Sequence, residues 1–194
     1  MTVDILPVNR ETLASYSTIP MRFEVRSKLE VELIADGFGG MVFRDVPVLP
    51  SYLKDYDSLE RPFRWLRNFD VSNWALFVRR VDSTLIGGAT VVWHTPGVDM
   101  LERRADLAVL WDIRVRPEYQ RSGVGTELVR SAVQWAKEKG CHQLKIETQN
   151  TNVPACRFYL SQGCKLGAVH RFKYLGNPLT RDEVELDWFL DLKD

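Results

Sequence analysis

Residues 110–125 have the sequence LWDIRVRPEYQRSGVG. The first six residues alternate as a β-strand does, and Pro117 ends the strand because proline cannot donate to a sheet ladder. Beyond Gly125, apolar residues recur at helical spacing until Gly140, which favours a helix end there. The stretch therefore predicts a strand, a glycine-containing turn and a helix, in that order.

This order of elements creates a site for an anion. The first amides of a helix have no partner within the helix, and the helix dipole adds positive potential there. Gly123 and Gly125 would let the backbone approach a phosphate closely, although the two glycines could instead serve only to allow a tight turn. A Walker loop is excluded because no lysine follows Gly125, and a dinucleotide fingerprint would need a third glycine.

The composition limits the class of protein. The 194 residues suit a single domain, 1–194, and 45% hydrophobic residues with zero net charge indicate an ordinary globular chain. Zero net charge gives no field toward nucleic acid or membranes, and no apolar run approaches the ~20 residues of a membrane span. The three cysteines, Cys141, Cys156 and Cys164, lack metal-ligand spacing, so we expect no metal and reduced thiols in a cytoplasmic protein.

Strands and helices alternate only in the second half of the chain. The predicted elements there are a hairpin of strands 74–81 and 85–94, strand 106–116, a helix to 139, strand 143–148, helix 152–162, strand 164–170 and strand 184–190. In the first half, 21–35 is compatible with a helix, 43–70 is irregular, and 59–69 contains a short helix. These elements predict an α/β fold with a mixed sheet and helices packed on its faces.

Four features of the second half resemble the GNAT superfamily of acyl-CoA N-acyltransferases. The turn 120–125 is similar to the family pattern Gln/Arg-x-x-Gly-x-Gly/Ala, and the strand 111–115 precedes it. Residues 152–159 are similar to the family's Asn-x-x-Ala-x-x-Phe-Tyr helix, and Gly163 precedes a strand. The resemblance implies a central twisted mixed sheet of about seven strands with helices on both faces and a hairpin-rich first half.

The same resemblance divides the chain by function. It implies an acetyl-CoA-binding core over 74–194, with the cofactor at the strand–turn–helix, and a variable substrate-side region over 1–73. The region 21–70 is rich in acids and is expected to form the substrate wall, or else only a solvated face. Its acids are Glu24, Glu30, Glu32, Asp36, Asp45, Asp55, Asp57 and Glu60.

A closer resemblance is to the streptothricin acetyltransferases, which modify an aminoglycoside-like antibiotic and so confer antibiotic resistance. It rests on residues 111–113, 147–152, 155–159, 167–169 and 182–189. The resemblance implies an acyltransferase that moves an acetyl group from acetyl-CoA, its co-substrate, to a primary amine of a small cationic molecule by direct attack. The chain departs from that family in the acids at 183, 185 and 187 and in its aromatic-rich first half.

The resemblance also implies which residues contact acetyl-CoA. The amides of the turn would cradle the pyrophosphate, and the backbone of 113–115 would pair with the pantetheine arm and polarise the thioester carbonyl. Asn152 would contact the cofactor arm, or serve as a plain helix cap, or do both. The full set is Ile113, Arg114, Val115, Gln120, Arg121, Ser122, Gly123, Val124, Gly125, Thr126, Asn152, Ala155 and Phe158.

Three side chains are candidates for proton transfer. Tyr159 resembles the family tyrosine that donates a proton to the departing thiolate, although it could instead be a packed aromatic. The attacking amine must lose a proton, and Asp112 and Glu147, each on the polar face of a strand, are the candidate bases. Either acid could instead pair with Arg114 or Lys145, or hold a cationic substrate. The three histidines, His94, His142 and His170, lack supporting neighbours and are expected to be structural.

Other functions stay open at this point. The chain could acetylate an amine of a protein or peptide, or it could be an acyl-CoA-binding sensor without turnover. The expected partner is a small-molecule amine, with no nucleic acid and no membrane. A homodimer through the last strand and the aromatic-rich loop is a family-level expectation.

Overall fold

A computed structural model describes residues 2–192 of the chain. These residues contain nine strands and four α-helices. Their bounds are β1 Val3–Pro7, α1 Arg10–Tyr16, β2 Arg22–Leu33, β3 Met41–Asp55, α2 Trp65–Asn68, β4 Trp74–Val81, β5 Thr84–Trp93, β6 Leu107–Val115, α3 Val124–Glu138, β7 Gln143–Gln149, α4 Val153–Ser161, β8 Lys165–His170 and β9 Glu185–Asp191.

Seven of the strands form one mixed sheet, in the order β1-β4-β5-β6-β7-β9-β8. The strands β1, β4, β5 and β6 pair antiparallel, whereas β6 and β7 run parallel. The predicted α/β class with a mixed sheet of about seven strands is therefore confirmed. The elements predicted in the second half, from the β4–β5 hairpin to β9, are confirmed to within one residue at their ends.

The prediction of a helix over 21–35 is wrong. This segment forms β2, which pairs with β3 in a separate two-stranded sheet. Its apolar side chains alternate with polar or charged ones and are Phe23, Val25, Leu29, Val31 and Leu33. In a strand every second side chain lies on the same face, so this alternation favours a strand. It outweighs the composition of the segment, which is compatible with a helix.

The prediction that 43–70 is irregular is wrong for residues 43–55, nearly half of the segment. Met41–Asp55 forms β3, and the structure accommodates Pro47 and Pro50 there because a two-stranded sheet leaves one edge of each strand without a strand partner. The predicted short helix at 59–69 is confirmed, although only as the single turn of α2.

The helix α1 is absent from the sequence-based prediction. It begins after Asn9, whose side-chain oxygen accepts a hydrogen bond from the Thr12 amide at 3.0 Å. The Thr12 hydroxyl in turn accepts one from the Asn9 amide at 3.1 Å, which completes a capping box. The cap allows a helix of seven residues, too short for its periodicity to be recognised.

The described residues form two compact units that interleave along the chain. The first unit comprises 2–21, 55–146 and 189–192, and the second comprises 22–54 and 147–188. Strands β7 and β9 each contribute residues to both units. Neither unit coincides with the predicted regions 1–73 and 74–194, and the organisation as one domain stays a prediction.

The core of the first unit contains a cluster of aromatic rings. Trp74 lies 5.9 Å from Trp65 and 5.4 Å from Trp111 between ring centroids, and Phe69 lies 5.5 Å from Trp111. Tyr16 of α1 contacts the same cluster, with its ring 6.4 Å from that of Trp65. Trp65 and Phe69 therefore anchor their segment to the core.

The second unit is held together at Asn150. The Asn150 amide donates to the Val184 carbonyl at 2.9 Å, and its side-chain oxygen accepts from the Val184 amide at 2.9 Å. Its side-chain nitrogen donates to the Leu29 carbonyl at 2.9 Å, while the Leu29 amide donates to the Asn150 carbonyl at 2.8 Å. One buried asparagine thus joins the end of β7 to β2 and to the segment before β9.

Candidate active site

The strand β6 loses one of its two partners halfway along. It pairs with β7 only as far as Leu110, which lies opposite Ile146, whereas it pairs with β5 as far as Val115. Thr90 lies opposite Asp112 and Val91 opposite Leu110, so Trp111 is the extra residue of a bulge. A bulge bends a strand and increases its local twist. From Trp111 to Val115, no strand among residues 2–192 pairs with the second edge of β6.

The backbone of Ile113 and Val115 faces this unpaired edge. The amide of Arg116 donates to the Ile86 carbonyl on β5 at 2.9 Å. Because the backbone groups of successive residues point to opposite edges of a strand, those of Val115 and Ile113 point away from β5. The Val115 carbonyl accepts a bond from the Gln120 side chain at 3.3 Å. Apart from this one side-chain contact, the edge offers the main-chain groups of Ile113 and Val115 to an added extended ligand.

The predicted glycine turn leads into α3. Gly123 is the N-cap of the helix, with φ of +93°, a conformation that favours glycine. The amides of residues 121–126 donate no hydrogen bond to any other group within residues 2–192, and the first bond of the helix is from Glu127 to the Gly123 carbonyl at 3.0 Å. The turn is exposed up to Gly123. The arrangement fits a pyrophosphate, which needs converging donors without side chains in the way.

The candidate base Asp112 is buried in a network of charged and phenolic groups. Arg114 donates to both of its carboxylate oxygens, at 2.8 and 3.0 Å, and the Tyr16 hydroxyl donates to one of them. Arg114 also donates to Asp57 at 2.7 Å and to the Ile19 carbonyl at 3.2 Å. The structure therefore realises the alternative in which Asp112 pairs with Arg114.

Burial and charge shift the pKa values of Tyr16 and Arg114 in this network. Burial, followed by the Asp112 charge, raises the pKa of Tyr16 well above its usual value, so the phenol stays a neutral donor. Burial by itself would lower the pKa of Arg114, but the adjacent Asp112 outweighs it and raises that pKa. The guanidinium engages both oxygens of Asp112 and so occupies positions at which an amine would have to approach this carboxylate.

In the second unit, α4 has the predicted cap. The Asn152 side-chain oxygen accepts from the Ala155 amide at 3.2 Å, and a proline occupies the first turn, where its missing amide costs nothing. Tyr159 is buried two turns later, and its ring lies 5.3 Å from that of Phe158. The helix therefore holds the predicted residues 152, 155, 158 and 159 in one rigid element.

Glu147, the other candidate base, has neutral partners in place of a guanidinium. Its Oε1 accepts from the Tyr174 hydroxyl at 2.5 Å and from the Gln149 side chain at 3.1 Å. Burial, and then the Glu147 charge, raise the pKa of Tyr174, so the phenol remains a donor. Glu147 is half-buried at the boundary of the second unit.

Two further carboxylates of β9 lie in the same unit. Glu185 and Asp187 are 2% and 1% exposed and share one face of the strand. His170 Nε2 lies 3.3 Å from an Asp187 oxygen and 3.8 Å from a Glu185 oxygen, and Lys173 Nζ lies 3.7 Å from Glu185. Glu185 also raises the pKa of Tyr174 through its charge, after burial and Glu147. We call Glu147, Glu185 and Asp187 the acidic cluster.

The acidic cluster adjoins a shallow cavity of about 380 Å³ lined by residues 169–173. Glu183, the third acid of this segment, lies apart from it, since it pairs with Lys54 at 2.6 Å. His170, Glu185 and Asp187 bring ligand atoms within 4.8 Å of one another and could hold a cation. His170, expected to be structural, is therefore part of this constellation, and the expectation of no metal stays a prediction.

Some acids of the segment 21–70 form ion pairs on the surface. Glu24 bonds Arg26 at 2.6 Å, and Glu32 bonds Arg44 at 2.8 Å, both exposed on β2 and β3. The exposure of these two pairs fits the solvated-face alternative, whereas Asp57 reaches the buried Arg114. No helix within residues 2–192 has the length and apolar character needed to cross a bilayer.

The chain matches a known family model. Residues 45–164 match the model described as the acetyltransferase (GNAT) family. A streptothricin acetyltransferase from Escherichia coli is 26% identical over 189 residues, which is 97% of this chain and 95% of that protein. Streptothricin acetyltransferase A from Bacillus subtilis (strain 168) is 39% identical over 82 residues, 42% of this chain and 47% of that relative.

Solved structures show the same similarity. A proposed streptothricin acetyltransferase from Bacillus anthracis str. Ames, in complex with acetyl coenzyme A, has a TM-score of 0.75 and 27% identity, over 98% of this chain and 99% of that chain. Nourseothricin acetyltransferase has a TM-score of 0.76 and 22% identity over the full length of both chains, which supports the fold.

Proposed function

Because the chain belongs to the GNAT family of acetyltransferases, we propose that it moves the acetyl group of acetyl-CoA to a primary amine of a small cationic molecule by direct attack. Acetyl-CoA is its co-substrate and supplies an activated acetyl thioester. The leading acceptor is a streptothricin-like antibiotic, because a streptothricin acetyltransferase is similar along nearly the whole chain. The physiological role would then be antibiotic resistance.

The acidic cluster is the main observation that supports a positively charged acceptor. Three carboxylates lie on β7 and β9 of the second unit, and two of them are almost fully buried. Burying carboxylates is expensive unless positive charge compensates them. His170 and Lys173, both half-exposed, approach the cluster from β8 and the loop after it. This concentration of negative charge beside an open cavity would attract an ammonium group of the acceptor.

Main-chain groups would bind acetyl-CoA. The amides of residues 121–126, with the flanking side chains of Gln120 and Arg121, would hold the pyrophosphate at the start of α3. The backbone of Ile113, Arg114 and Val115 would pair with the pantetheine arm, and an amide of this edge would stabilise negative charge on the thioester oxygen. Asn152, Ala155 and Phe158 would contact the arm from α4.

Side chains would move the protons. A lysine-like amine has a pKa near 10.4 and must lose a proton before it attacks. We propose Glu147 as its acceptor, directly or through water, because phenol and amide partners leave its charge available. Asp112 is the weaker candidate because Arg114 engages both of its oxygens. Tyr159 would donate the proton that the departing thiolate takes up.

Three further proposals concern the domain organisation, the location and the oligomeric state. We propose a single functional domain over 1–194 and a cytoplasmic location, supported by three buried free cysteines. We also propose a homodimer, supported by large apolar side chains that are exposed in the second unit, among them Leu49 and Leu179. Light scattering of the purified chain would test the dimer.

Thiol release from acetyl-CoA across a panel of amines tests the function. The panel contains streptothricin, aminoglycosides, polyamines and lysine-ended peptides. We expect release with streptothricin or a polyamine. Thiol release with peptides alone would indicate that the acceptor is a protein or peptide amine. If no amine of the panel gave thiol release although acetyl-CoA bound, a sensor without turnover would be favoured.

A matched pair of variants tests whether the acidic cluster binds the amine. Glu185→Gln should raise KM for the amine at least about tenfold and leave KM for acetyl-CoA unchanged, because it removes a buried charge partner of the amine. The control, Glu32→Gln, removes an exposed acid of β2 in the same unit and should leave both constants unchanged. Equal effects of the two variants would contradict the proposed amine site.

A further inference from the structure

We propose that Tyr16 is a positioning residue, acting through Asp112 and Arg114 to hold the β6 edge at which acetyl-CoA docks. The inference rests on the proposed use of that edge, and it gives a role to a residue outside the family motifs. All the contacts that carry it lie in the first unit of the chain.

The network holds the part of β6 where strand pairing is incomplete. Asp112 and Arg114 are neighbours on one face of the strand and bracket Ile113, whose backbone faces the unpaired edge. Two hydrogen bonds join their side chains, at 2.8 and 3.0 Å, and hold the backbone in place immediately after the bulge. We call this side-chain pair the clip. Because β7 gives no support there, these side chains supply what a ladder of strand bonds would otherwise provide.

Tyr16 connects this clip to a rigid element. It is fully buried at the end of α1, and its hydroxyl donates to Asp112. Its ring lies beneath the Arg114 guanidinium, with the guanidinium carbon 5.1 Å from the ring centroid. Further bonds tie the same chain segment to β6, from Arg114 to the Ile19 carbonyl and from Arg116 to Thr18 at 3.0 Å.

The neighbouring strand is shaped to admit the Tyr16 ring. Gly88 of β5 lies opposite Arg114, and its φ is not in the left-handed region. A Cβ at this position would lie 2.7 Å from the Tyr16 Cε2 atom and 2.9 Å from the Phe77 carbonyl oxygen. Glycine is thus required at this position for space. A residue without a side chain on this central strand therefore makes room for the phenol to reach Asp112.

The charges of the network explain why a hydroxyl is needed. One guanidinium, Arg114, faces two carboxylates, Asp112 and Asp57. The phenol adds a neutral donor to Asp112, and its hydrogen bond stabilises the buried carboxylate without changing the net charge of the network. Removing the hydroxyl would leave Asp112 with Arg114 alone, so the clip would hold less tightly while the ion pair survives.

The test is Tyr16→Phe, which keeps the ring in its place and removes only the donor. Calorimetry should show acetyl-CoA binding weakened about three- to tenfold, the equivalent of one net hydrogen bond. The value of kcat at saturating acetyl-CoA should stay within about twofold. The binding measurement needs no acceptor, so its outcome is independent of whether the proposed amine is correct.

The control is Leu13→Val, a fully buried position on the same helix. It should lower the urea midpoint of unfolding without changing acetyl-CoA affinity. Equal weakening in both variants would reduce Tyr16 to a stability role, and unchanged affinity in Tyr16→Phe would overturn the proposal. A fall in kcat with unchanged affinity would also overturn it, since Asp112 would then act in the chemistry.

Discussion

Residues 111–126 present main-chain groups, whereas residues 147–159 present side chains. In the first region the unpaired edge of β6 and the amides before α3 face outward, while Asp112 and Arg114 are turned into a buried network. In the second region Glu147, Asn152 and Tyr159 are themselves the groups proposed to act. The proposed activity would thus be divided between a backbone that must be held in place and side chains that must be chemically correct.

The comparison of the two acids shows this difference most clearly. Asp112 is paired with a guanidinium at two oxygens, whereas Glu147 is bonded by a phenol and an amide. A fully compensated carboxylate contributes structure, and a carboxylate with neutral donors keeps its charge for a proton or an ammonium group. Mutation of the two acids should therefore affect different measurements.

The largest expected effects come from exchanging each acid for its amide. Glu147→Gln should lower kcat by about 10²–10⁴-fold, as expected for loss of a general base. Its free energy of unfolding should change by less than about 1 kcal/mol, because the amide oxygen can still accept from Tyr174. Asp112→Asn should instead lower the free energy of unfolding by about 3–5 kcal/mol, because it breaks a buried ion pair.

Urea unfolding and steady-state kinetics, scaled to the folded fraction, measure these two effects separately. The comparison predicts that kcat of folded Asp112→Asn falls less than that of Glu147→Gln. If Asp112→Asn folded normally and lost turnover, the roles of the two acids would be exchanged, and Asp112 would be the base.

The phosphate turn offers a second way to separate backbone from side-chain effects. Gly123→Glu places a carboxylate at the amides proposed to hold the pyrophosphate. Acetyl-CoA affinity should fall about 100-fold, the equivalent of one or two charge-assisted hydrogen bonds. The control is Gly140→Glu, at the other end of α3.

Gly140 matches Gly123 in the properties that govern stability. Both glycines have positive φ, +78° and +93°, and neither would bring a Cβ within 4 Å of another atom. Each substitution should therefore cost a similar 1–2 kcal/mol, roughly the penalty of a left-handed residue. Calorimetry that gave the same affinity for both variants would contradict the anion site at the turn.

The same division explains what the sequence could predict. A main-chain site at a turn requires glycines at fixed spacing, so residues 120–125 indicated the turn and the helix α3, both confirmed by the structure. The cap at Asn152 was likewise local. These features depend on residues within one or two turns of each other, where periodicity and capping rules apply.

The partners of the candidate side chains could not be predicted in this way. Tyr16 lies 96 residues before Asp112, and Tyr174 lies 27 residues after Glu147. Neither tyrosine belongs to a motif, and only the fold brings each to its acid. The strand β2 is a different case, because its alternating residues were present in the sequence and helix-compatible composition was given too much weight.

The smallest of these effects is expected at Tyr159. Tyr159→Phe removes the proposed proton donor and keeps a buried ring in α4, so acetyl-CoA affinity should change less than about twofold. The value of kcat should fall about tenfold, less than the usual range for general-acid catalysis, because a thiolate is a good leaving group that water can protonate. Steady-state kinetics with saturating amine measures kcat, and calorimetry measures the affinity. Equal kcat in the two proteins would make Tyr159 a packing residue, and it would leave Glu147 as the one side chain of the second region that acts in proton transfer.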